Sequence, residues 1–331
     1  MEYRNLGRTG LKVSPLSLGT MMFGAWGNRD HDESIRIIHA ALDAGINVVD
    51  TSNNYSNGES ETIVGKALAG GKRENVVLAT KVYAPMGEGP NQRGLSRKAI
   101  HEQVEHSLRR LQTDCIDLYQ IHRPDASTPW EETLSALTDL VRQGKVRYLG
   151  CSTNHYSGKA IWEKRLPAWE IVETLQIAER HGYERFISLQ PPYSILRRVM
   201  ESDHFPMCER FGIGNIVWSP LEGGWLSGKY RRDTKPGESP RLAWIGDPND
   251  PKFDRRKKIV EALLPMAESH GVSLARFANA WALRHPAVTS VILGPRTMDQ
   301  LTDSLACLDV TIRDSAAEEI DRLVPPGTAA L

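Results

Sequence analysis

Eight short apolar segments, each followed by a helical pattern, constrain this chain more than any other feature of its sequence. They are Leu16–Gly19, Ile46–Asp50, Val76–Lys81, Ile116–Ile121, Val146–Gly150, Phe186–Gln190, Asn215–Trp218 and Val288–Leu293. Short runs rich in Val, Ile and Leu read as strands buried on both faces. Between them, apolar residues recur at spacings of three and four, as in Ile35, Ile38 and Leu42, or Ile100, Val104, Leu108 and Leu111. Leu134, Leu137 and Val141 mark a further helix, and Asp30 with Glu33 has the spacing of a capping box at the first one. Strands that alternate with helices pair in parallel through crossovers. Eight such units closing on themselves make a (β/α)8 TIM barrel. A doubly wound open sheet is the competing architecture. It usually carries a glycine-rich phosphate loop after its first strand, whereas here Gly19-Thr20-Met21-Met22-Phe23-Gly24 is not G-x-G-x-x-G.

Further helices are expected at Glu61 to Leu68, Trp169 to Glu179, Arg198 to Phe211, Ile259 to His270, Ser273 to His285 and Ala316 to Leu323. Ahead of the first unit, Tyr3–Leu6 and Leu11–Ser14 flank Gly7-Arg8-Thr9-Gly10, a turn suited to a β-hairpin. One segment breaks the rhythm. Lys229 to Lys258 follows strand seven, holds ten basic and five acidic residues with four prolines, and reads as a long functional loop. No domain-scale linker interrupts the chain, so residues 1–331 are expected to form a single domain.

Charge excludes some functions. Lys and Arg number 41 and Asp and Glu number 41, which gives no support for a nucleic-acid partner. No uncharged apolar run approaches the ~18 residues of a membrane helix. Cys115, Cys151, Cys208 and Cys307 are far apart in sequence and form no C-x-x-C pair, which points to a reduced, cytoplasmic protein without a disulfide framework or zinc site. Cys151 reads as a small buried apolar residue, not a nucleophile.

In a barrel of this kind, chemistry sits at the C-terminal strand ends. Asp50 ends strand two, Tyr55 lies in the loop after it, Lys81 ends strand three, and His122 ends strand four. Taken singly, Asp50 fits a turn cap, Tyr55 a loop aromatic and His122 a structural histidine. Lys81 is the odd one, because an ammonium at the end of Val76-Val77-Leu78-Ala79-Thr80 needs a partner. Together they make sense. An ammonium beside a phenol favours the phenolate, a carboxylate holds the ammonium, and a neighbouring histidine orients a carbonyl oxygen beside the hydroxyl.

With these residues in place, the sequence resembles the aldo-keto reductase superfamily over nearly its whole length. The resemblance rests on Asn47-Val48-Val49-Asp50-Thr51-Ser52-Asn53-Asn54-Tyr55 with Gly58, Glu61 and Gly65, and on Ala79-Thr80-Lys81. It continues in Asp117 to Asp125, Gly144 to Ser152, Trp218-Ser219-Pro220-Leu221 with Gly228-Lys229-Tyr230, and Ile292-Leu293-Gly294-Pro295-Arg296 with Gln300-Leu301. It implies a barrel that binds NADP without a Rossmann domain and reduces aldehydes or ketones. The implied tetrad is Asp50, Tyr55, Lys81 and His122, with Tyr55 as proton donor, Lys81 and Asp50 tuning it, and His122 positioning the carbonyl. The implied cofactor contacts begin with Gly19, Thr20, Met21 and Asp50 after the first two strands. Ser152 and Gln190 match positions that hold the nicotinamide amide, and Trp218 matches the aromatic that stacks on its ring. Ser219, Pro220, Leu221, Gly223 and Lys229 match the pyrophosphate loop, and Gly294, Arg296, Gln300 and Asp303 match the adenosine end. Arg296 and Arg241 suit a 2′-phosphate, since a planar guanidinium binds two oxygens, and this favours NADP over NAD.

Two departures from the family pattern stand out. Thr153 follows Ser152 where many members carry asparagine, and Asp303-Ser304 stands in place of a Glu-Asn pair. The chain is also similar to potassium-channel β subunits, which makes a cofactor-binding regulatory subunit the alternative to an enzyme; the complete tetrad favours the enzyme. A metal-dependent hydrolase is disfavoured because Lys81 beside the site repels a cation. The chain also resembles bacterial keto-sugar reductases, so small aldehydes, cyclic ketones and keto-sugars are all open as substrates. Trp26, Tyr83, Tyr156, Tyr193, Trp225 and Trp244 are expected to line the pocket mouth.

Overall fold

In a computed structural model of the chain, which describes residues 1–153, 165–231 and 247–330, the eight expected segments close into one parallel barrel. Arg241, Tyr156 and Trp244 lie outside the described residues. The hairpin strands are β1 (Arg4–Asn5) and β2 (Lys12–Val13), paired antiparallel. The barrel strands are β3 (Leu16–Gly19), β4 (Val48–Asp50), β5 (Val77–Val82), β6 (Ile116–Ile121), β7 (Val146–Ser152), β8 (Phe186–Gln190), β9 (Gly214–Val217) and β10 (Val288–Leu293). They pair in chain order, and β10 returns to β3. Complete closure leaves no open edge, and helices cover the outer face.

Two apolar layers hold this arrangement. The larger lies between the barrel's outer face and the helices, where Ile38, Leu78, Leu134, Tyr119 and Phe277 are all fully buried. A smaller cluster fills the barrel's lower interior: Val48, Val77, Leu118, Ile187, Ile216 and Ile292, with Leu6 and Val13 from the hairpin. The hairpin is thus a plug for the N-terminal end. Gly7 makes that approach possible: its φ is +58°, and a Cβ there would sit 2.5 Å from the carbonyl oxygen of Gly212. With the bottom sealed, only the C-terminal strand ends remain open.

The helices are α1 (His31–Asp43), α2 (Glu59–Ala67), α3 (Arg97–Leu111), α4 (Trp130–Arg142), α5 (Ala168–His181), α6 (His204–Phe211), α7 (Asp254–Ser269), α8 (Leu274–Arg284), α9 (Met298–Leu305) and α10 (Asp314–Leu323). Asp30 caps α1 as its spacing implied, accepting from the Glu33 backbone N–H at 3.0 Å. The region expected as one helix from Arg198 is a 3-10 turn, Val199–Glu201, followed by α6.

Two elements differ more substantially. The basic run after Asp254 is not loop but the first turns of α7, where Arg256 and Lys257 are buried and Arg256 Nε donates to the Ala330 carbonyl at 3.0 Å. Helix α9 carries no clear period because it is eight residues long and buries only Leu301. Its Thr297 cap, three residues before Gln300, was the available signal. No helix among the described residues is long and apolar enough to cross a membrane.

Candidate active site

Strand register assembles the site. Asp50 sits level with Ala79, Lys81 with Gln120, and Ser152 with Gln190, so the polar residues of five strands face one another just below the mouth. Lys81 Nζ donates to Asp50 Oδ1 at 2.5 Å, to the Thr51 carbonyl at 2.8 Å and to Tyr55 Oη at 3.2 Å. All three of its protons are thereby used, with no exposed surface on the residue. Burial opposes the charge on Lys81, but the Asp50 carboxylate and the Tyr55 phenol outweigh it, and its pKa lies above the ordinary lysine value. The other Asp50 oxygen accepts from Gln120 Nε2 at 3.1 Å and Gln190 Nε2 at 2.7 Å.

Tyr55 opens a 3-10 turn, Tyr55–Gly58, in which Ser56 and Asn57 hold left-handed φ values of 47° and 58°. Such backbone persists only where its surroundings hold it. Here Ser56 Oγ donates to the Phe23 carbonyl at 3.0 Å and accepts from the Trp26 N–H at 3.1 Å. The turn presents the phenol edge-on to His122, ring centroids 5.9 Å apart. Trp26 also packs on the phenol, ring centroids 6.2 Å apart and tilted by 55°. His122 Nδ1 is 3.3 Å from Ser52 Oγ. Burial, together with the Arg123 guanidinium and the Lys81 ammonium, pushes His122 well below the usual histidine range. At neutral pH it is therefore an uncharged imidazole, with one ring N–H to donate a hydrogen bond and no net charge.

A cavity of about 980 Å³ opens above these groups. It receives Asp50, Tyr55 and His122 from the tetrad, while Lys81 lies beneath its floor. Gly19 and Met21 line it, but Thr20 does not: the Thr20 hydroxyl donates to the Asp50 carbonyl at 3.1 Å and pairs with Ser60 Oγ, because the chain turns inward there. Ser152, Gln190 and Trp218 converge on one wall. Ser152 Oγ and Trp218 Nε1 both donate to the Gln190 carbonyl, at 2.9 and 3.2 Å, which fixes their orientation. Ser219, Pro220, Leu221, Gly223 and Lys229 form a second wall, and Gly294, Arg296, Gln300 and Asp303 a third.

The second wall is braced from behind. Ser219 and Glu222 have left-handed φ values of 60° and 45°. The Glu222 carboxylate is buried against the Arg197 guanidinium, accepts from Arg197 Nε at 3.1 Å, and has Ser194 Oγ at 3.3 Å. Burial would raise its pKa, but Arg197 holds it below the usual glutamate value. On the third wall the Arg296 guanidinium has no hydrogen-bond or ion-pair partner among the described residues, while its backbone N–H donates to Gln300 Oε1 at 2.8 Å. Asp303 is less available: Ser273 Oγ and Arg276 Nη2 donate to its two oxygens at 2.7 and 2.8 Å.

These walls fit a dinucleotide. They offer an indole held in place, a carboxamide oxygen on Gln190 whose nitrogen is turned toward Asp50, and cations at the far end. A Cβ added at Gly294 would meet nothing within 4 Å, so backbone there is open to a ligand. Asn279 lines the same cavity with both amide atoms buried and unpartnered.

Other expectations need correction. Tyr193 and Trp225 are not at the mouth but in the core, at 1% and 0% exposure, Tyr193 stacked on Trp281. Tyr83 is buried beside the mouth and does not line the cavity. The Thr153 hydroxyl is engaged with the Leu166 backbone at 2.9 and 3.0 Å, so it does not take the place of an amide. Cys151 is buried and its thiol is pushed well up by burial, as an inert residue should be. Sequence reasoning missed Glu222, Arg256 and Asn279. The first two lay beside a motif or in the basic run, and Asn279 interrupts an otherwise apolar helix face.

Comparison with known proteins gives the family. The Aldo/keto reductase family model matches residues 15–325. An uncharacterized oxidoreductase of Bacillus subtilis (strain 168), YrpG, is 38% identical, over 99% of this chain and 97% of its own. A probable voltage-gated potassium channel subunit beta of Oryza sativa is 38% identical, over 94% and 92%. Versiconal hemiacetal acetate reductase of Aspergillus parasiticus is 34% identical, over 98% and 97%.

Proposed function

The chain belongs to the aldo/keto reductase family, and we propose that it reduces an aldehyde or ketone to an alcohol with NADPH, using Tyr55 as the proton donor. The observation that carries this reading is the Asp50–Lys81–Tyr55 chain of contacts, with His122 at the phenol's side, opening on a cavity large enough for a dinucleotide. When bound, NADPH supplies hydride to the carbonyl carbon.

The residues then divide the remaining work. Ser152 and Gln190 orient the nicotinamide amide, and Trp218 supports the ring. The substrate oxygen sits between the Tyr55 hydroxyl and the neutral His122 imidazole. Both donate to it, and those hydrogen bonds strengthen as negative charge develops there. Tyr55 gives up its proton to that oxygen, and Lys81, held by Asp50, stabilises the phenolate left behind. Lys229 would hold the pyrophosphate and Arg296 a 2′-phosphate; a guanidinium free of partners among the described residues at that end of the cavity supports NADPH over NADH. The four free cysteines, three of them buried, fit a reducing cytoplasm.

The test is NADPH consumption across a panel of aldehydes, cyclic ketones and keto-sugars, with Tyr55→Phe as control. Loss of the general acid is expected to lower turnover by roughly 10²–10⁴-fold while NADPH still binds. Unchanged turnover would remove Tyr55 from the acid role. A second reading, a cofactor-binding subunit with little turnover, is favoured by the equal 38% identity to the potassium channel subunit beta. The intact tetrad, including His122, weighs against it; negligible turnover on every carbonyl together with a stable channel complex would reverse that judgement.

A further inference from the structure

Asn279 is an anomaly in its helix. Around it on α8, Phe277, Ala278, Ala280, Trp281 and Ala282 are buried and apolar. Asn279 itself is 0% exposed, yet neither its Oδ1 nor its Nδ2 has a hydrogen-bond partner. A buried amide left unpaired loses its hydration without compensation, so such a group calls for a reason. Leucine or isoleucine would satisfy the helix better. Among the described residues with a buried, unpartnered side-chain polar atom, Asn279 alone lines the cavity, and it alone lacks a partner at both amide atoms.

Its place in the fold indicates what it meets. Helix α8 packs against the Glu222–Ser227 turn on one side and against α9 on the other. Those are the second and third walls of the cavity. Ala275, one turn earlier on the same helix face, also lines it, and its small side chain leaves room beside the amide. Asn279 therefore stands between the pyrophosphate wall and the adenosine wall.

We infer that Asn279 is a cofactor-binding residue, its Nδ2 donating to an oxygen of the pyrophosphate–adenosine half of the bound dinucleotide. This rests on the reading of the cavity as a dinucleotide site. The amide is kept at a cost to the cofactor-free protein because the bound cofactor completes it. The assignment thus makes two predictions of opposite sign. Asn279→Leu removes the unpaired amide and is expected to leave the thermal midpoint of the cofactor-free protein unchanged or raised. The same variant is expected to weaken NADPH binding at least tenfold, about 1.4 kcal/mol, read by quenching of tryptophan fluorescence and by a smaller NADPH-induced shift of the midpoint.

Asn279→Asp guards against a purely steric effect of leucine. It keeps the size but points a carboxylate at the phosphates, and is expected to lose at least tenfold in NADPH affinity. Fragments locate the contact: affinity for adenosine 2′,5′-bisphosphate is expected to fall in Asn279→Leu, and that for reduced nicotinamide mononucleotide to change less than twofold. NADPH affinity within twofold of wild type in both variants would overturn the assignment, leaving the amide to structural water. A loss confined to the nicotinamide fragment would overturn it too. If the wild-type chain binds no dinucleotide at all, the functional reading falls and this assignment with it; if wild type binds and both variants bind equally, only the assignment falls.

Discussion

Gln190 donates from Nε2 to Asp50 Oδ2 at 2.7 Å, which joins the cavity wall of Ser152, Gln190 and Trp218 to the carboxylate that holds Lys81. One side chain thus serves two tasks. Its nitrogen helps keep a buried carboxylate solvated, and under the proposed function its oxygen accepts from the nicotinamide amide. Gln190→Ala is expected to weaken NADPH binding and also to cost the cofactor-free protein roughly 1.5–3 kcal/mol, the usual worth of a hydrogen bond to a charged group. Gln190→Glu is expected to be worse, although it preserves size, because it sets a second carboxylate against Asp50. Chemical denaturation of the three proteins checks this, and a Gln190→Glu protein as stable as Gln190→Ala would contradict it.

The neutral state of His122 has a consequence for pH. In the unfolded chain a histidine takes up its proton near about pH 6.5. In the folded protein burial, Arg123 and Lys81 hold that pKa well lower. The unfolded state therefore binds more protons as pH falls. The stability contributed by His122 is fully present above about 6.5 and is lost as pH drops toward the native value. One such group steepens the acid limb by up to about 1.4 kcal/mol per pH unit. Unfolding free energies measured from neutral pH downward are expected to fall less steeply for His122→Asn than for wild type; parallel curves would refute the neutral, buried imidazole.

Arg296 lies on the third wall of the cavity with no side-chain partner among the described residues, and under the proposed function it takes the 2′-phosphate. Its replacement has little to disturb inside the protein. Arg296→Ser is expected to leave the cofactor-free thermal midpoint unchanged while lowering the ratio of kcat/KM for NADPH over NADH by about 10–100-fold, the loss of one charge-assisted pair of hydrogen bonds. An unaltered ratio would move the 2′-phosphate to another cation of the cavity.

Much of this molecule is written locally. Each barrel strand is a short apolar run and most helices show a clear period, so their types and order follow from spacings of two to four residues. The tetrad was legible for the same reason: Asp50, Lys81 and His122 lie at or within one residue of strand ends, and parallel strands in a barrel all end at one mouth. The family motifs add the cavity walls, because Trp218-Ser219-Pro220-Leu221 and Gly294-Pro295-Arg296 are contiguous. Helix α9 was missed because a single buried leucine sets no period.

What stayed hidden depends on register and closure. No local pattern says that Thr20 faces Ser60 instead of the cavity, or that Trp225 fills the core while Trp218 lines the site. Gln190 meets Asp50 across 140 residues, and Arg197 meets Glu222 from another element. Asn279 reads in sequence as one polar residue on a helix, and only the packing of α8 between two walls turns it into an unpaired amide at a binding cavity. Periodicity is enforced residue by residue along the chain, so the sequence by itself determined the strand–helix order and which polar residues stand at the strand ends. Which buried donors find acceptors is settled only when distant strands come level and the barrel shuts, and that the tertiary structure alone decided.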